Sequence, residues 1–217
     1  MIYYVLPQIE YHLKNKNLKI TFNKNNENTT NNYSLKKYLS KIKSLIDKHI
    51  KDWDNVKKYT NTYEFIHTNV PNQKLSVSQI KPISRAFFKL IEIYNTHNIF
   101  TNNNPIKTFH LAEGPGGFIE ATAYLRNNKN DIYYGMTLID NSINIPNWSK
   151  ADNMIKKYKN IKIEYGQDEK GDLYNHKNLI HCKNLYKNSM NVITADGGFD
   201  FSNDYNNQEK TAFRLIF

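Results

Sequence analysis

The sequence predicts an α/β fold built on a doubly wound parallel sheet. Short apolar segments alternate with amphipathic ones over the second half of the chain, in the order that parallel strands and their crossover helices require. A glycine-rich turn at residues 114–117 separates the first of these strands from the helix that follows it. A chain of 217 residues is long enough for one such core and a small appendage, but too short for two domains of average size.

The first 75 residues are predicted to form a basic extension to a main domain at residues 76–217. Residues 1–32 pass into an Asn- and Lys-rich segment with little to bury, which predicts a mobile loop or arm. Residues 61–70 are predicted to form a strand. Between them, starting at a predicted N-cap, Ser34, an amphipathic helix is predicted from apolar residues spaced three or four apart: Leu35, Leu39, Ile42, Ile46, Ile50 and Trp53.

The main domain is predicted to begin with a helix from Pro82 to Asn95. Its buried stripe carries apolar residues from Ile83 to Tyr94, and Lys89 falls on the polar face. Strands are then predicted at residues 108–113, 131–139, 161–166 and 191–195. Helices are predicted at residues 118–125, near 150–158 and from about Asp204, with a further helical or irregular stretch before the last strand.

Composition limits the class of protein. Thirty Lys and Arg against twenty Asp and Glu give a net charge of +10, which favours an anionic partner such as nucleic acid, although a coding bias toward Lys and Asn explains it equally well. The single cysteine, Cys182, excludes an intramolecular disulfide framework and predicts a reducing compartment. Without a long apolar run, a signal peptide or a histidine pattern typical of metal sites, we expect an intracellular protein with no membrane segment and no metal.

The glycine turn reads E-G-P-G-G-F, and its ligand is the main question that the sequence raises. In doubly wound sheets, ligands bind beyond the carboxyl ends of the strands, and the first strand-to-helix turn supplies the close-approach glycines. A dinucleotide fingerprint would need a third glycine that is missing here, and no Gly-Lys-Ser/Thr follows as in a P-loop. A plain structural turn remains an alternative.

Five segments in order carry a family resemblance over about residues 80–210: "SRAFFKLIEI", "LAEGPGGF", "YGMTLID", "YGQDEKGDL" and "ITADGGFDFS". Together they resemble the RrmJ/FtsJ-like ribose 2′-O-methyltransferases, most closely the cap-specific mRNA nucleoside methyltransferases. The resemblance implies a Rossmann-like sheet with helices on both faces and S-adenosylmethionine as the cofactor.

The resemblance also implies which residues hold the cofactor. Asp172 would accept a hydrogen bond from the adenine amino group, with a turn-forming aspartate as the alternative. Thr137 and Asp140 are further candidates for contact with the cofactor. Many nucleotide-binding α/β folds hold the ribose with an acid at the end of the second strand, but Asp140 lies two or three residues past that position, which leaves the ribose contact open. The turn would contact the cofactor through Glu113, Gly114, Pro115, Gly116, Gly117 and Phe118.

Two further expectations concern that turn. A side chain at Gly116 or Gly117 would obstruct the cofactor. The Glu113 carboxylate would accept a hydrogen bond from the cofactor's amino group, and the alternative is a solvated carboxylate.

For catalysis, the family uses a Lys-Asp-Lys-Glu set. Its first lysine matches Lys89, for which a solvated helix face is the alternative, and its aspartate matches Asp196 at the end of an apolar strand. The second lysine and the glutamate have no match before Phe217, since the family places them on later strands. We therefore expect a family domain that is incomplete at its C-terminus, with little turnover by these 217 residues alone.

The function that the sequence favours is methylation of the ribose 2′-hydroxyl at the first nucleotides of capped mRNA, with RNA as partner and no membrane. A ribosomal or transfer RNA 2′-O-methyltransferase is the alternative among enzymes. A non-catalytic fragment that binds cofactor or RNA is the alternative from another class. The sequence leaves the RNA target and the oligomeric state open.

Overall fold

A computed structural model describes residues 32–49, 52, 56, 59–70, 72–140, 145–198 and 211–213. The chain divides into two compact units, Met1–Thr62 and Tyr63–Phe217. Almost all of the predicted N-terminal arm, and the predicted C-terminal helix apart from the helical residues 211–213, lie outside the described residues. The domain boundary near residue 75 stays a prediction.

The first unit contains the α-helix α1 (Tyr33–Ile46), and its described residues Asp52, Val56, Tyr59 and Thr60 are also helical. The N-cap of α1 is Asn32 and not the predicted Ser34, because the Asn32 side-chain oxygen accepts a hydrogen bond from the Leu35 N–H at 2.9 Å. The apolar stripe is as predicted in spacing, but its side chains are exposed: Leu35, Leu39 and Ile42. The predicted stripe positions Ile50 and Trp53 lie outside the described residues.

The second unit alternates helices and strands. The helices are α2 (Ala86–Thr96), α3 (Gly117–Arg126), α4 (Asp152–Lys157) and α5 (His176–Tyr186). The strands are β1 (Lys107–Leu111), β2 (Ile132–Met136), β3 (Ile161–Glu164) and β4 (Val192–Ala195). A 3-10 helix, Trp148–Ala151, leads into α4.

The four strands form one parallel sheet in the order β3-β2-β1-β4, which confirms the predicted doubly wound sheet. The last residue of each strand lies in register with that of its neighbour: Leu111 with Met136 and Ala195, and Met136 with Glu164. The carboxyl ends therefore form one edge. The strand order reverses between β1 and β4, the kind of position where such sheets bind ligands.

Alternating residues of β1 pack against helices on opposite faces of the sheet, which confirms the prediction of helices on both faces. On one face, the His110 ring contacts the Thr122 hydroxyl of α3. On the other, the Phe109 ring lies 5.4 Å from the ring of Tyr186 in α5. The period of two residues along a strand accounts for this division.

A buried polar chain links β1 to β4 and to α3. His110 is fully buried, and burial lowers its pKa to about 3, so the ring is neutral at physiological pH. Its Nδ1 lies 2.7 Å from the Thr194 hydroxyl of β4, and its Nε2 lies 2.9 Å from the Thr108 hydroxyl. Both ring nitrogens thus have partners, so the imidazole is part of the scaffold.

A buried ion pair closes the opposite, amino-terminal edge of the sheet. The Arg126 Nε donates to Asp131 Oδ2 at 2.8 Å, and both side chains are almost fully withdrawn from solvent. Asp131 also accepts from the Ile106 N–H and the Tyr133 hydroxyl, each at 2.9 Å. Burial alone would raise the pKa of Asp131, but these hydrogen bonds outweigh it and lower that pKa. The carboxylate therefore joins the end of α3 to the starts of β1 and β2.

Two predictions of local structure were wrong. Residues 61–70 do not form a strand: Thr62–Ile66 is a 3-10 helix, with the carbonyls of Phe65 and Ile66 accepting from the N–H groups of residues 77 and 78. Helix α2 begins at Ala86, four residues after the start expected near Pro82, and the Ile83 N–H donates to the Glu120 carboxylate of α3 at 2.7 Å.

Within the described ranges, no helix is both long enough and apolar enough to cross a membrane. The same residues contain no group of three or more His, Cys, Asp or Glu arranged to hold a metal ion.

Replacement of Asp131 by alanine should destabilise the second unit by about 3–5 kcal/mol, because it leaves the Arg126 guanidinium buried without its counter-charge. Urea denaturation followed by tryptophan fluorescence measures the change. Glu92→Ala removes an exposed carboxylate and should alter the free energy of unfolding by less than about 0.5 kcal/mol. Equal stabilities of the two variants would contradict a structural role for the ion pair.

Candidate active site

A cavity of about 490 Å³ opens at the carboxyl edge of the sheet. Its volume is within the range of small-molecule sites. Segments that follow all four strands contribute to its wall: Ala112, Gly114, Thr137, Leu138, Ile145, Pro146, Gly171, Asp172, Leu173, Tyr174, Asp196, Gly197 and Gly198. We call this space the carboxyl-edge cavity.

Some of the residues singled out in the sequence meet in this cavity, and others do not. Gly114, Thr137, Asp172 and Asp196 line it. The remaining predicted cofactor residues, all within the described part of the chain, do not belong to its lining: Glu113, Pro115, Gly116, Gly117, Phe118 and Asp140. The glycine turn therefore borders the cavity through its first glycine.

Glu113 holds the turn from inside. It is 6% exposed, which rules out the alternative of a solvated carboxylate. Its Oε1 accepts the N–H groups of Phe118 and Ile119, both at 2.8 Å, so the carboxylate caps the first turn of α3. Burial raises the pKa of Glu113 to about 8, assisted by the negative charge of Asp196 and opposed by the two backbone hydrogen bonds. Its contact with a cofactor stays a prediction.

Glycine is required at positions 116 and 117 because other parts of the protein lie close to the backbone there. Gly116 has φ = 117°, and a Cβ atom there would lie 3.3 Å from Ala151 Cβ and from the end of the Met154 side chain. A Cβ atom on Gly117 would overlap the Ser84 hydroxyl and lie 3.1 Å from Ala86 Cβ. A side chain at either position would therefore first meet residues in or next to α4 or α2, and the expectation that it would obstruct the cofactor stays a prediction.

Asp172 forms a turn, which is one of its two predicted roles, and its predicted contact with the adenine ring stays a prediction. Its Oδ1 accepts the N–H of Tyr174 at 2.8 Å, the pattern of a turn-forming aspartate. The same residue lines the carboxyl-edge cavity. Among the described residues, its Oδ2 accepts no hydrogen bond, so one carboxylate oxygen is available to a ligand in the cavity.

Lys89 and Asp196 form an ion pair although 107 positions separate them in the sequence. Helix α2 supplies the lysine from its polar face, and the end of β4 supplies the aspartate. The two side chains are 54% and 43% exposed, so the pair lies at the solvent-accessible rim of the cavity. Lys89 is thus a largely exposed helix lysine with a specific partner, and its catalytic role stays a prediction.

Sequence reasoning missed the apolar wall of the cavity. Leu138, Ile145, Pro146, Leu173 and Tyr174 line it, and all five lie in connecting segments after β2 or β3. Apolar residues in loops have no periodicity that could assign them to a site. The glycine at position 171 was an indication that this loop lies close to other backbone. It has φ = 64°, and a Cβ atom there would overlap the Thr137 carbonyl.

Comparison with known proteins identifies a family over residues 82–217, which match the model of the FtsJ-like methyltransferase family. Over 204 residues the chain is 24% identical to "Cap-specific mRNA (nucleoside-2'-O-)-methyltransferase 2" of Danio rerio, a match that covers 82% of this chain and 25% of that protein. It is 26% identical over 156 residues to "Probable methyltransferase EP424R" of African swine fever virus (strain Badajoz 1971 Vero-adapted), covering 62% of this chain and 34% of the viral protein. The chain thus spans a quarter to a third of the length of these relatives.

Replacement of Glu113 by glutamine should make the protein's stability less dependent on pH. In the folded wild type Glu113 keeps its proton to a higher pH than in the unfolded chain, where it ionises at its ordinary pKa of 4.5. The stabilisation that results from this difference is fully present below pH 4.5. It is lost as the pH rises to about 8, on the order of 1.4 kcal/mol for each pH unit. Glutamine keeps the oxygen that caps α3 but does not titrate.

Urea denaturation at several pH values between 5 and 9 measures this difference. The stability of Glu113→Gln relative to wild type should increase over that range, while that of the exposed control Glu92→Gln should stay constant. Parallel curves for Glu113→Gln and wild type would show that the carboxyl group is ionised throughout.

Proposed function

Because more than half of the chain matches the family model, the chain belongs to the FtsJ-like methyltransferase family, and we propose that it serves S-adenosylmethionine-dependent methylation of a ribose 2′-hydroxyl in RNA. The proposed target is the first nucleotides of capped mRNA. The observation that carries this proposal is the Lys89–Asp196 ion pair at the rim of the carboxyl-edge cavity. It brings the lysine and the aspartate of the implied catalytic set together beside a site of cofactor size.

The hydrogen-bond acceptors and the apolar wall of the cavity fit the proposed cofactor. Two carboxylates, those of Asp172 and Asp196, face a space that an amino-substituted purine and a positively charged sulfonium would fill. Leu138, Ile145 and Leu173 supply apolar surface for a purine ring. Gly198 leaves the other side open, because a Cβ atom there would meet no described atom within 4 Å. In this arrangement Asp172 would accept from the adenine amino group and Thr137 would lie toward the ribose.

The protein's part in the reaction is to orient a poor nucleophile and take its proton. When bound, S-adenosylmethionine supplies an activated methyl group, so the chain itself need not activate the electrophile. The Lys89 ammonium would hold the ribose oxygen in line with that group. The Asp196 carboxylate would receive the hydroxyl proton as the new O–C bond forms and the methyl C–S bond breaks. Since both side chains are about half exposed, the pair can pass the proton to water.

Capped mRNA is proposed as the substrate because the relative from Danio rerio is named as a cap-specific mRNA methyltransferase. A net charge of +10 is also compatible with an RNA ligand. Transfer of a radiolabelled methyl group to capped and uncapped transcripts of one sequence tests the substrate, with ribosomal and transfer RNA in parallel.

The assay should use the protein as isolated from its natural source, because this chain spans only a quarter to a third of the length of its relatives. Incorporation into capped transcripts alone would support the proposal. Equal incorporation with and without a cap would favour the ribosomal or transfer RNA alternative, and cofactor binding without any incorporation would favour the non-catalytic one.

Asp172→Asn should weaken S-adenosylmethionine binding at least about tenfold, measured by isothermal titration calorimetry. Asparagine can still accept the Tyr174 N–H with its oxygen, but it then presents an NH₂ donor to the adenine amino group in place of an acceptor. Asp152→Asn makes the same change at an exposed position in α4 and should bind like wild type. Unchanged affinity in Asp172→Asn would remove this aspartate from the adenine site.

Lys89→Ala should lower methyl transfer by about 100-fold or more while cofactor affinity stays within twofold of wild type, because the lysine acts on the ribose hydroxyl. Lys156→Ala, an exposed lysine of α4, is the matched control and should keep its activity. Rates come from radiolabelled methyl incorporation and affinities from calorimetry. A parallel loss of affinity in Lys89→Ala would place this lysine in the cofactor site.

A further inference from the structure

Asn178 is a fully buried amide on α5, close behind the wall of the carboxyl-edge cavity. Its three hydrogen bonds all go to the loop that joins β3 to α5. Its Oδ1 accepts the Asp168 N–H at 3.1 Å. Its Nδ2 donates to the Asp168 carboxylate at 2.8 Å and to the Asp172 carbonyl at 2.9 Å. A single side chain therefore holds both ends of the segment 168–172.

The loop fits closely around this amide. Asp168 Oδ1 also accepts the Lys170 N–H at 3.0 Å, and Oδ2 accepts from the Asn175 side chain at 2.6 Å. Gly166 has φ = 73°, and a Cβ atom there would lie 2.5 Å from the Asn178 carboxamide carbon. The space behind the loop thus accommodates an asparagine with its donor and acceptor in fixed places.

On its other side the loop closes against the end of β2. The Ile139 N–H donates to the Lys170 carbonyl at 2.7 Å, and the Gly171 N–H donates to the Tyr165 carbonyl at 2.7 Å. These contacts bring Gly171 and Asp172 into the cavity wall next to Thr137. The Asp172 backbone is thereby held from behind by Asn178, while its side chain faces the cavity.

We propose that Asn178 is a positioning residue that sets Asp172 for recognition of the amino group of an adenine ring. The inference rests on the proposed function, because it takes the cavity as the cofactor site. Asn178 does not line the cavity, so it would act through the backbone of residues 168–172. Replacement of its amide by a carboxyl group should remove the hydrogen bond to the Asp172 carbonyl and place an acidic group beside Asp168.

The substitution Asn178→Asp tests this point with almost no change in volume. Aspartate can still accept the Asp168 N–H, but it lacks the NH₂ group. When ionised it donates to neither the Asp168 carboxylate nor the Asp172 carbonyl, and when protonated it donates to only one of them. Asn184→Asp makes the same change at an exposed position of the same helix and is the matched control. Thermal denaturation of each variant shows whether it is folded at the assay temperature.

The readout is selectivity between two ligands, which a general loss of stability would not alter. Calorimetry compares S-adenosylhomocysteine with S-inosylhomocysteine, whose ring carries a carbonyl oxygen in place of the adenine amino group. Wild type and Asn184→Asp should prefer the adenine ligand at least about tenfold, because a carboxylate repels the carbonyl. In Asn178→Asp the preference should fall below about threefold. Combining Asn178→Asp with Asp172→Asn should add little further loss of adenine-ligand affinity, because the two residues act on one contact.

The outcomes separate the inference from the proposed function. Binding of neither ligand by wild type would overturn both. Equal binding of both ligands by wild type would overturn the inference and leave a nucleoside site without adenine recognition. Full selectivity in a folded Asn178→Asp would overturn the inference alone. If Asn178→Asp does not fold, Asp168→Asn takes its place. This substitution, at a half-buried position, replaces one of the two carboxylate oxygens that accept hydrogen bonds from Asn178, Lys170 and Asn175. It should lower the selectivity in the same way.

Discussion

The carboxylate of Glu113 fixes the junction on which the proposed site depends. Its backbone N–H donates to the Met136 carbonyl at the end of β2, and its own carbonyl accepts the N–H of Gly116. Its side chain caps α3 through Phe118 and Ile119. One buried residue thus joins β1, β2 and the helix that crosses between them. Burial raises its pKa to about 8, well above the ordinary value of a glutamate.

The remaining contacts place the proposed reacting groups around that junction. Parallel strands in register bring the segments after β1, β2, β3 and β4 to one edge, so residues far apart in sequence line one cavity. The buried His110 ring joins β1 to Thr194, two residues before Asp196, and so fixes the strand end that meets Lys89. Glycines at 116 and 117 let α4 and the start of α2 approach the turn. Packing therefore accounts for a turn that the sequence alone associates with a ligand.

The sequence supports the order of elements well and their boundaries less well. Apolar segments located β1 to β4, and apolar residues at helical spacing located α2, whose buried residues are Phe87, Leu90 and Tyr94. The sequence pattern failed at residues 61–70, where β-branched and aromatic residues suggested a strand but hydrogen bonds to residues 77 and 78 stabilise a 3-10 helix. It also misplaced the cap of α1, since both Asn32 and Ser34 suit an N-cap and only the backbone conformation chooses between them.

By itself the sequence determined the fold class, the family-like order of motifs, and the residue types at Lys89, Asp172 and Asp196. These follow from local patterns, which need no knowledge of distant contacts. Only the tertiary structure decided that Lys89 meets Asp196, that Glu113 is buried beneath α3, and that Asn178 holds the loop of Asp172. A hydrogen bond or an ion pair between distant residues depends on the separation of two elements in space. That separation is set by the packing of the whole sheet and is not encoded in either segment alone.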